Sequence, residues 1–261
     1  MKLAANISLM FNDLPLQQRI KQAAELGFQG VEIQFPYELP VEEWQQLLKE
    51  ANLPLVLINL PAGDFMQGGD GLACHPERQQ DFQQALEQSL PYIAKLQPSV
   101  VNVLAGRQVA GFSRQACFAQ LAANLTLACK VLAIYPVTVT CEPINNLDQV
   151  NYLTPRVADW VELAALVKQP NFALQLDLYH AARMADSLQQ LISERHADLA
   201  HIQFADYPGR SHPNTGSLPL TEVFQQLKQQ GYQGWLAAEF LSLSTDSYAW
   251  LRSCTHSPTN I

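Results

Sequence analysis

Residues 171–206 read NFALQLDLYHAARMADSLQQLISERHADLAHIQFAD. Two short apolar runs, FALQLDLY (172–179) and LAHIQFAD (199–206), flank a stretch whose apolar residues recur at three- and four-residue spacing. Each run ends by delivering a polar side chain, Asp177 in the first and Gln203 in the second. A strand, an amphipathic helix and a second strand in that order form a crossover unit, whose strands lie parallel. The same beat continues in both directions. Upstream lie LAANISLM (3–10), GVEIQF (30–35), LPLVLINL (53–60), SVVNVLAG (99–106) and VTVTCEPI (137–144), and downstream lies GWLAAEFL (234–241). Helical stretches separate them, such as PLQQRIKQAAELG (15–27), VEEWQQLLKEA (41–51) and TPRVADWVELAALVKQ (154–169). Gly27, Gly231 and Gly234 mark helix ends, and Thr154 followed by Pro155 reads as an N-cap and first turn.

Eight such units within 261 residues imply an α/β fold closed as a (β/α)8 barrel, for which ~250 residues is typical. An open doubly wound sheet would carry a Gly-rich phosphate loop after its first strand, and no GxGxxG or GxxxxGK[ST] pattern occurs. No linker or charge run divides the chain, so residues 1–261 are expected to form a single TIM-barrel domain. GDFMQGGDG (63–71) follows the third strand. It reads either as a mobile loop able to close over the barrel mouth or as an ordinary surface loop.

The hydrophobic share of 48% can fill one sizeable core, and a charged share of 15% argues against solvated tails. A formal charge of −8 and a pI near 5.2 oppose a nucleic-acid partner, whose phosphates recruit clustered Lys and Arg. No apolar run approaches the ~20 residues of a membrane span, and the first segment reads as a strand rather than a secretory signal. A soluble, cytoplasmic enzyme of small molecules is expected, with no membrane partner. The five cysteines contain no CxxC pair and read as reduced, mostly buried residues. Trp44, Trp160 and Trp250 are assigned to the core. The oligomeric state stays open, a homo-oligomer among the options.

Function is written at the strand ends, where Asn6, Glu32, Asn59, Asn102, Glu142, Asp177, Gln203 and Glu239 fall. In a barrel the carboxyl ends of the strands converge on one mouth. Buried carboxylates cost several kcal/mol unless paired or metal-bound, and four facing one another call for a cation. Glu142, Asp177, Gln203 and Glu239 offer hard oxygen ligands suited to Mg2+, or to Mn2+. His201, two residues before Gln203, falls one layer deeper. His180, three residues past Asp177, is placed to touch a ligand. Arg107 and Arg210, in loops after the fourth and seventh strands, are the candidate positive groups for holding an anion.

At these residues the chain resembles the hydroxypyruvate isomerase family within the xylose-isomerase-like barrels, which includes isomerases of 2-oxo-tetronate. The resemblance rests on NISLMF, GVEIQFPY, NLPAGD, NVLAG, CEPIN, LQLDLYH, HIQFADYPGR and the closing Glu239, in order along nearly the whole chain. It implies that Glu142 and Glu239 are the paired acid/base residues. It implies that Glu142, Asp177, Gln203 and Glu239 surround a divalent metal, Mg2+ or Mn2+, and that His180 and Arg210 bind substrate. Arg107, Asn102 and Glu32, by their own positions at neighbouring strand ends, are further substrate-binding candidates. The chain departs from the family pattern at Ser217, where a Glu is common, and at Phe240, where a Tyr is frequent. The expected substrate is a small hydroxy-oxo acid, either hydroxypyruvate or 2-oxo-tetronate. The rival readings are a ketose 3-epimerase, whose relatives place a His where Gln203 stands, and a barrel that binds a sugar acid without catalysis.

Overall fold

A computed structural model describes residues 1–241 together with Tyr248, Trp250 and Leu251. Eight parallel strands pair in chain order: β1 (Lys2–Asn6), β2 (Gly30–Ile33), β3 (Leu55–Asn59), β4 (Val100–Asn102), β5 (Thr138–Thr140), β6 (Phe172–Asp177), β7 (Leu199–Phe204) and β8 (Trp235–Ala238). The last strand pairs with the first and closes the barrel. Around it lie α1 (Leu16–Glu25), α2 (Val41–Ala51), α3 (Gln79–Leu96), α4 (Arg114–Leu132), α5 (Val157–Val167), α6 (Leu178–Arg183), α7 (Leu188–Arg195) and α8 (Leu220–Gln229). Among the described residues no helix is long and apolar enough to cross a membrane.

The helices sit on the barrel by the stripe their sequences announce. Ile20 and Ala23 of α1, Trp44 and Leu48 of α2, and Trp160, Leu163 and Val167 of α5 are all buried, at the spacing that puts them on one face. Trp44 is fully enclosed, and its indole Nε1 donates to the Pro36 carbonyl at 2.8 Å, which satisfies its one polar atom. Trp250 is buried as well. Gly27 and Gly231 both hold positive φ where α1 and α8 end, the turn that glycine allows. Cys74, Cys117, Cys129 and Cys141 are free and buried; Cys254 lies outside the described residues.

Two local expectations change. Helix α5 begins at Val157, not at Pro155, because Arg156 is still extended (φ −128°, ψ 154°) and its N–H is accepted by Asp159 Oδ2 at 3.0 Å. The strands are also shorter than the apolar runs. After β1, residues 7–13 turn back, and β4 and β5 each pair over three residues before leaving the sheet. The polar residues therefore sit at two levels. Asn6 pairs in register with Glu32, Asn59 with Asn102, and Asn102 in turn with Thr140, inside the ladder. Glu142 and Glu239 stand beyond the last paired residues of β5 and β8.

Candidate active site

A cavity of about 250 Å3 opens at the carboxyl ends of the strands. Its polar lining includes Glu142, Gln175, His180, Gln203, Arg210 and Glu239, and Leu9, Leu57, Phe65, Leu104 and Ile144 give it apolar walls. Asp177 and Glu142 are each held by one oxygen, and Glu239 by both. Asp177 is the N-cap of α6, and its Oδ1 accepts the backbone N–H groups of Tyr179 (2.7 Å) and His180 (3.2 Å). Its Oδ2 is buried with no hydrogen-bond partner among the described residues. Glu142 accepts Gln175 Nε2 on Oε2 at 3.1 Å, and its Oε1 is likewise buried without a hydrogen bond. Glu239 accepts Asn6 Nδ2 (2.8 Å) and Gln34 Nε2 (3.3 Å) on Oε1, while Arg210 Nη2 donates to its Oε2 at 2.9 Å. Arg210 also lies 3.9 Å from Asp177 Oδ2, and its Nε has no hydrogen-bond partner among the described residues.

The electrostatics follow from burial. Enclosure pushes the Glu142 carboxyl well above the ordinary carboxylate range, and repulsion from Glu239 and Asp177 adds to it. Enclosure likewise raises Glu239, to about 8, with Arg210 offsetting part of the rise and Asp177 and Glu32 reinforcing it. Burial lowers His180 to about 4, so its ring is neutral at pH 7. Burial opposes the charge of Arg210, but Glu239, Asp177 and Glu142 more than offset that and keep it firmly protonated.

Ligand atoms of Glu142, Asp177 and His180 lie within 4.8 Å of one another. Two buried carboxylate oxygens that accept no hydrogen bond from the described residues are what a cation would satisfy, so this group could hold a metal ion. The histidine is the weaker member. Asn145 Oδ1 accepts the N–H groups of Leu147 and Asp148, which turns its amide nitrogen towards His180 Nδ1 at 2.6 Å. A neutral imidazole that accepts at Nδ1 carries its proton on Nε2. His180 Nε2 therefore points an N–H at Glu142 Oε1 (3.9 Å) and Asp177 Oδ2 (3.8 Å).

Of the residues singled out from sequence, Glu142, Gln203, Glu239, His180 and Arg210 line the cavity, and Asp177 borders it through its contacts with His180 and Arg210. Glu32 and Asn102 do not line it. Both are fully buried, Glu32 against His201, Asn6 and Gln203, and Asn102 against Asn59 and the Glu142 backbone. Arg107 is turned into the rim. Its Nη1 donates to the carbonyls of Phe65 (3.0 Å) and Gly69, its Nη2 to Gln149 Oε1 (2.7 Å), and its guanidinium lies over the Phe65 ring. These bonds fasten the 63–71 loop, which carries a short 3-10 turn at Phe65–Gln67, to the loop after β5. The close approach needs Gly106, at φ 91°, where an added Cβ would meet Asp70 O at 2.5 Å. Sequence reasoning passed over Gln175 and Asn145. Gln175 could have been found from its place two residues before Asp177, on the same face of β6; Asn145 lies in a loop with no such period.

Residues 20–254 match the family described as xylose isomerase-like TIM barrel. The hydroxypyruvate isomerase of Escherichia coli (strain K12) is 32% identical, covering 94% of this chain and 95% of that one. The 2-oxo-tetronate isomerase of Pectobacterium atrosepticum is also 32% identical, over 92% of this chain and 91% of its own. Among solved structures, one described as an AP endonuclease, family 2, from Brucella melitensis superimposes with a TM-score of 0.93 at 34% identity. It covers 100% of this chain and 99% of its own.

Proposed function

This chain belongs to the xylose isomerase-like TIM barrel family and is an isomerase, and we propose that it moves a carbonyl between neighbouring carbons of a small hydroxy-oxo acid. Hydroxypyruvate would interconvert with tartronate semialdehyde, or 2-oxo-tetronate with its 3-oxo isomer. The observation that carries this reading is the pairing of Glu142 with Glu239 in one cavity, both with raised affinity for a proton. The hard step is removing a proton from carbon beside a carbonyl, and a buried carboxyl pair that shares protons near neutral pH can serve as base on one side and acid on the other. One glutamate takes the proton from the first carbon, and the second delivers a proton to its neighbour.

The remaining groups bind and orient. His180 donates its Nε2–H to a substrate oxygen. Arg210 takes the substrate carboxylate with the Nε–H that has no other partner, a charge-assisted contact. Leu57, Leu104 and Ile144 exclude water from the walls. Glu142 and Asp177, each presenting one unsatisfied oxygen, would hold a divalent cation, with Gln203 and Glu239 completing the set. An all-oxygen donor group suits Mg2+ or Mn2+. Such a cation supplies Lewis-acid polarisation of the carbonyl. The family-2 endonuclease description of the Brucella structure stays with that protein: with 24 acidic against 16 basic residues, this chain has the opposite balance to one that a phosphate backbone attracts.

A panel of three- and four-carbon hydroxy-oxo acids, with and without chelator, tests the reading. Turnover of at least one acid, lost on chelation and restored by Mg2+ or Mn2+, is expected. Inversion of a centre in a ketose, with no turnover of any acid, would make the protein an epimerase instead.

A further inference from the structure

Glu32 sits on β2 with no exposed surface, and the mechanism gives it no contact with substrate. It nevertheless collects three donors. His201 Nε2 lies 2.9 Å from Oε2, and Gln203 Nε2 (3.0 Å) and Asn6 Nδ2 (3.4 Å) both donate to Oε1. From that junction two arms rise to the cavity. On one side Asn6 Nδ2 also donates to Glu239 Oε1 at 2.8 Å. On the other, Gln203 Oε1 accepts Gln175 Nε2 at 2.6 Å, and the same Gln175 nitrogen donates to Glu142 Oε2 at 3.1 Å. Thr140 Oγ1 donates to Gln175 Oε1 at 2.9 Å, with Asn102 Oδ1 3.3 Å from the same hydroxyl.

We propose that Glu32 is a positioning residue that orients Glu142 and Glu239 together, through the Gln203–Gln175 arm and the Asn6 arm. This rests on the isomerase reading of the same site. An amide side chain can turn over and exchange its oxygen for its nitrogen. Were Gln203 to do so, its oxygen would face the Glu32 carboxylate, and its nitrogen would face the Gln175 nitrogen, donor against donor. A buried carboxylate accepts and never donates while ionised, so it forbids the turned state. Gln175 is held by the same logic, because Gln203 Oε1 and Glu142 Oε2 both accept from its nitrogen, while the Thr140 hydroxyl, able to donate or accept, completes its oxygen. Glu142 thus always meets an N–H on Oε2 and keeps Oε1 for chemistry. The direction of the whole ring descends from one acceptor at its base.

Glu32→Leu removes that acceptor, and Glu32→Gln keeps an oxygen able to accept, although its amide can itself turn over. In the Gln variant Oε1 still accepts from Asn6 and Gln203, while its new N–H2 faces His201. The His201 ring can adapt, because its Nδ1 has no hydrogen-bond partner among the described residues and can take the proton that Nε2 gives up. The test measures kcat and KM of the full chain on hydroxypyruvate and 2-oxo-tetronate with saturating Mg2+ or Mn2+. It also records the side-chain amide NMR signals of Gln175 and Gln203. Glu32→Leu should lose about 10- to 100-fold in kcat, the usual cost of removing a partner that orients a reactive group, with KM changed by less than about threefold. Glu32→Gln should recover most of the loss. The two Gln amide pairs should be slow to exchange with solvent in the parent protein and in Glu32→Gln, and fast in Glu32→Leu. Should Glu32→Leu not fold, Thr140→Val, nearly the same shape, should speed exchange at Gln175 and lower kcat. A folded Glu32→Leu with parent-like kcat and unchanged amide exchange would overturn the proposal, as would Thr140→Val without effect on either readout. Absence of turnover in the parent protein would instead sink the isomerase reading, while the amide signals still decide the role of Glu32.

Discussion

Arg210 and Glu239 meet across the barrel mouth, Nη2 to Oε2 at 2.9 Å, and the same nitrogen lies 3.9 Å from Asp177 Oδ2. A cation from the loop after β7 is thereby shared between carboxylates of β8 and β6. That loop is itself built on Asp206, whose two oxygens accept the N–H groups of Tyr207, Thr215, Gly216 and Leu218. Arg210→Gln should therefore cost substrate binding and raise the proton affinity of Glu239 further. A hydrogen bond to a charged group is worth roughly 1.5–3 kcal/mol, so kcat/KM on a hydroxy-oxo acid should fall at least about tenfold. A hydroxy-ketone of the same length without the carboxylate should be turned over with a much smaller change. Equal losses on both compounds would place the substrate carboxylate elsewhere.

The pH dependence of stability has two opposed parts. His180 is lowered by burial to about 4 from its ordinary 6.5, so between those values the unfolded chain binds a proton that the folded chain refuses. Stability from this group is complete above pH 6.5 and falls as the pH drops towards 4. Glu239 is raised by burial from 4.5 to about 8. Here the folded chain keeps a proton that the unfolded chain has released, so stability falls as the pH rises from 4.5 to 8, and Glu142 acts in the same direction. Above pH 6.5 the carboxyls dominate. In chelator, Tm should drop between pH 6.5 and 8, and Glu239→Gln should flatten the slope. A Tm that climbs over that range in calorimetry would contradict the assignment.

Cation binding should follow the two unsatisfied oxygens. Anything that binds only the folded state raises stability with concentration, by about 2.7 kcal/mol at a hundred times Kd. Mn2+ should therefore raise Tm of the parent protein. In Asp177→Asn the amide oxygen can still cap α6 while an N–H2 replaces Oδ2 in the cavity, so the fold should persist and the Mn2+ effect should be lost. Glu142→Gln should behave alike. An undiminished Mn2+ shift in both variants would move the cation site away from these strands.

Arg107 is expected to act on the rim rather than on the substrate. Arg107→Ala breaks its bonds to Phe65, Gly69 and Gln149, and should speed proteolysis within 63–71 and raise KM similarly for charged and neutral compounds. A loss confined to carboxylate-bearing substrates would show Arg107 to be a substrate clamp after all.

Much of this was legible in the sequence because a closed parallel sheet imposes its own order. Apolar runs such as FALQLD and LAHIQF had to be strands, and their polar last residues had to converge, whatever the loops did. The depth of each residue was harder to read. Glu32 and Asn102 look like Gln203 as letters at strand ends, yet only Gln203 lines the cavity; Glu32 is taken up by His201, Asn6 and Gln203, and Asn102 by Asn59 and the Glu142 backbone. Arg107 is ambiguous for another reason: a loop arginine close to a strand end is equally well placed for a ligand or for the carbonyls of a neighbouring loop, and its place over the Phe65 ring has no sequence signature. The tautomer of His180 depends on Asn145, 35 residues away, a contact with no periodic signature.

The central claim is that Glu142 and Glu239 are the two proton-transfer groups, and proton NMR of the isomerisation in D2O tests it most directly. The parent protein should interconvert the hydroxy-oxo acid and its isomer while solvent deuterium enters the carbon that receives the transferred proton. Glu142→Gln and Glu239→Gln should each keep the parent's circular dichroism spectrum and lose about 10²–10⁴-fold in rate, the range for a missing general acid or base. Near-parent turnover in both variants would contradict the account.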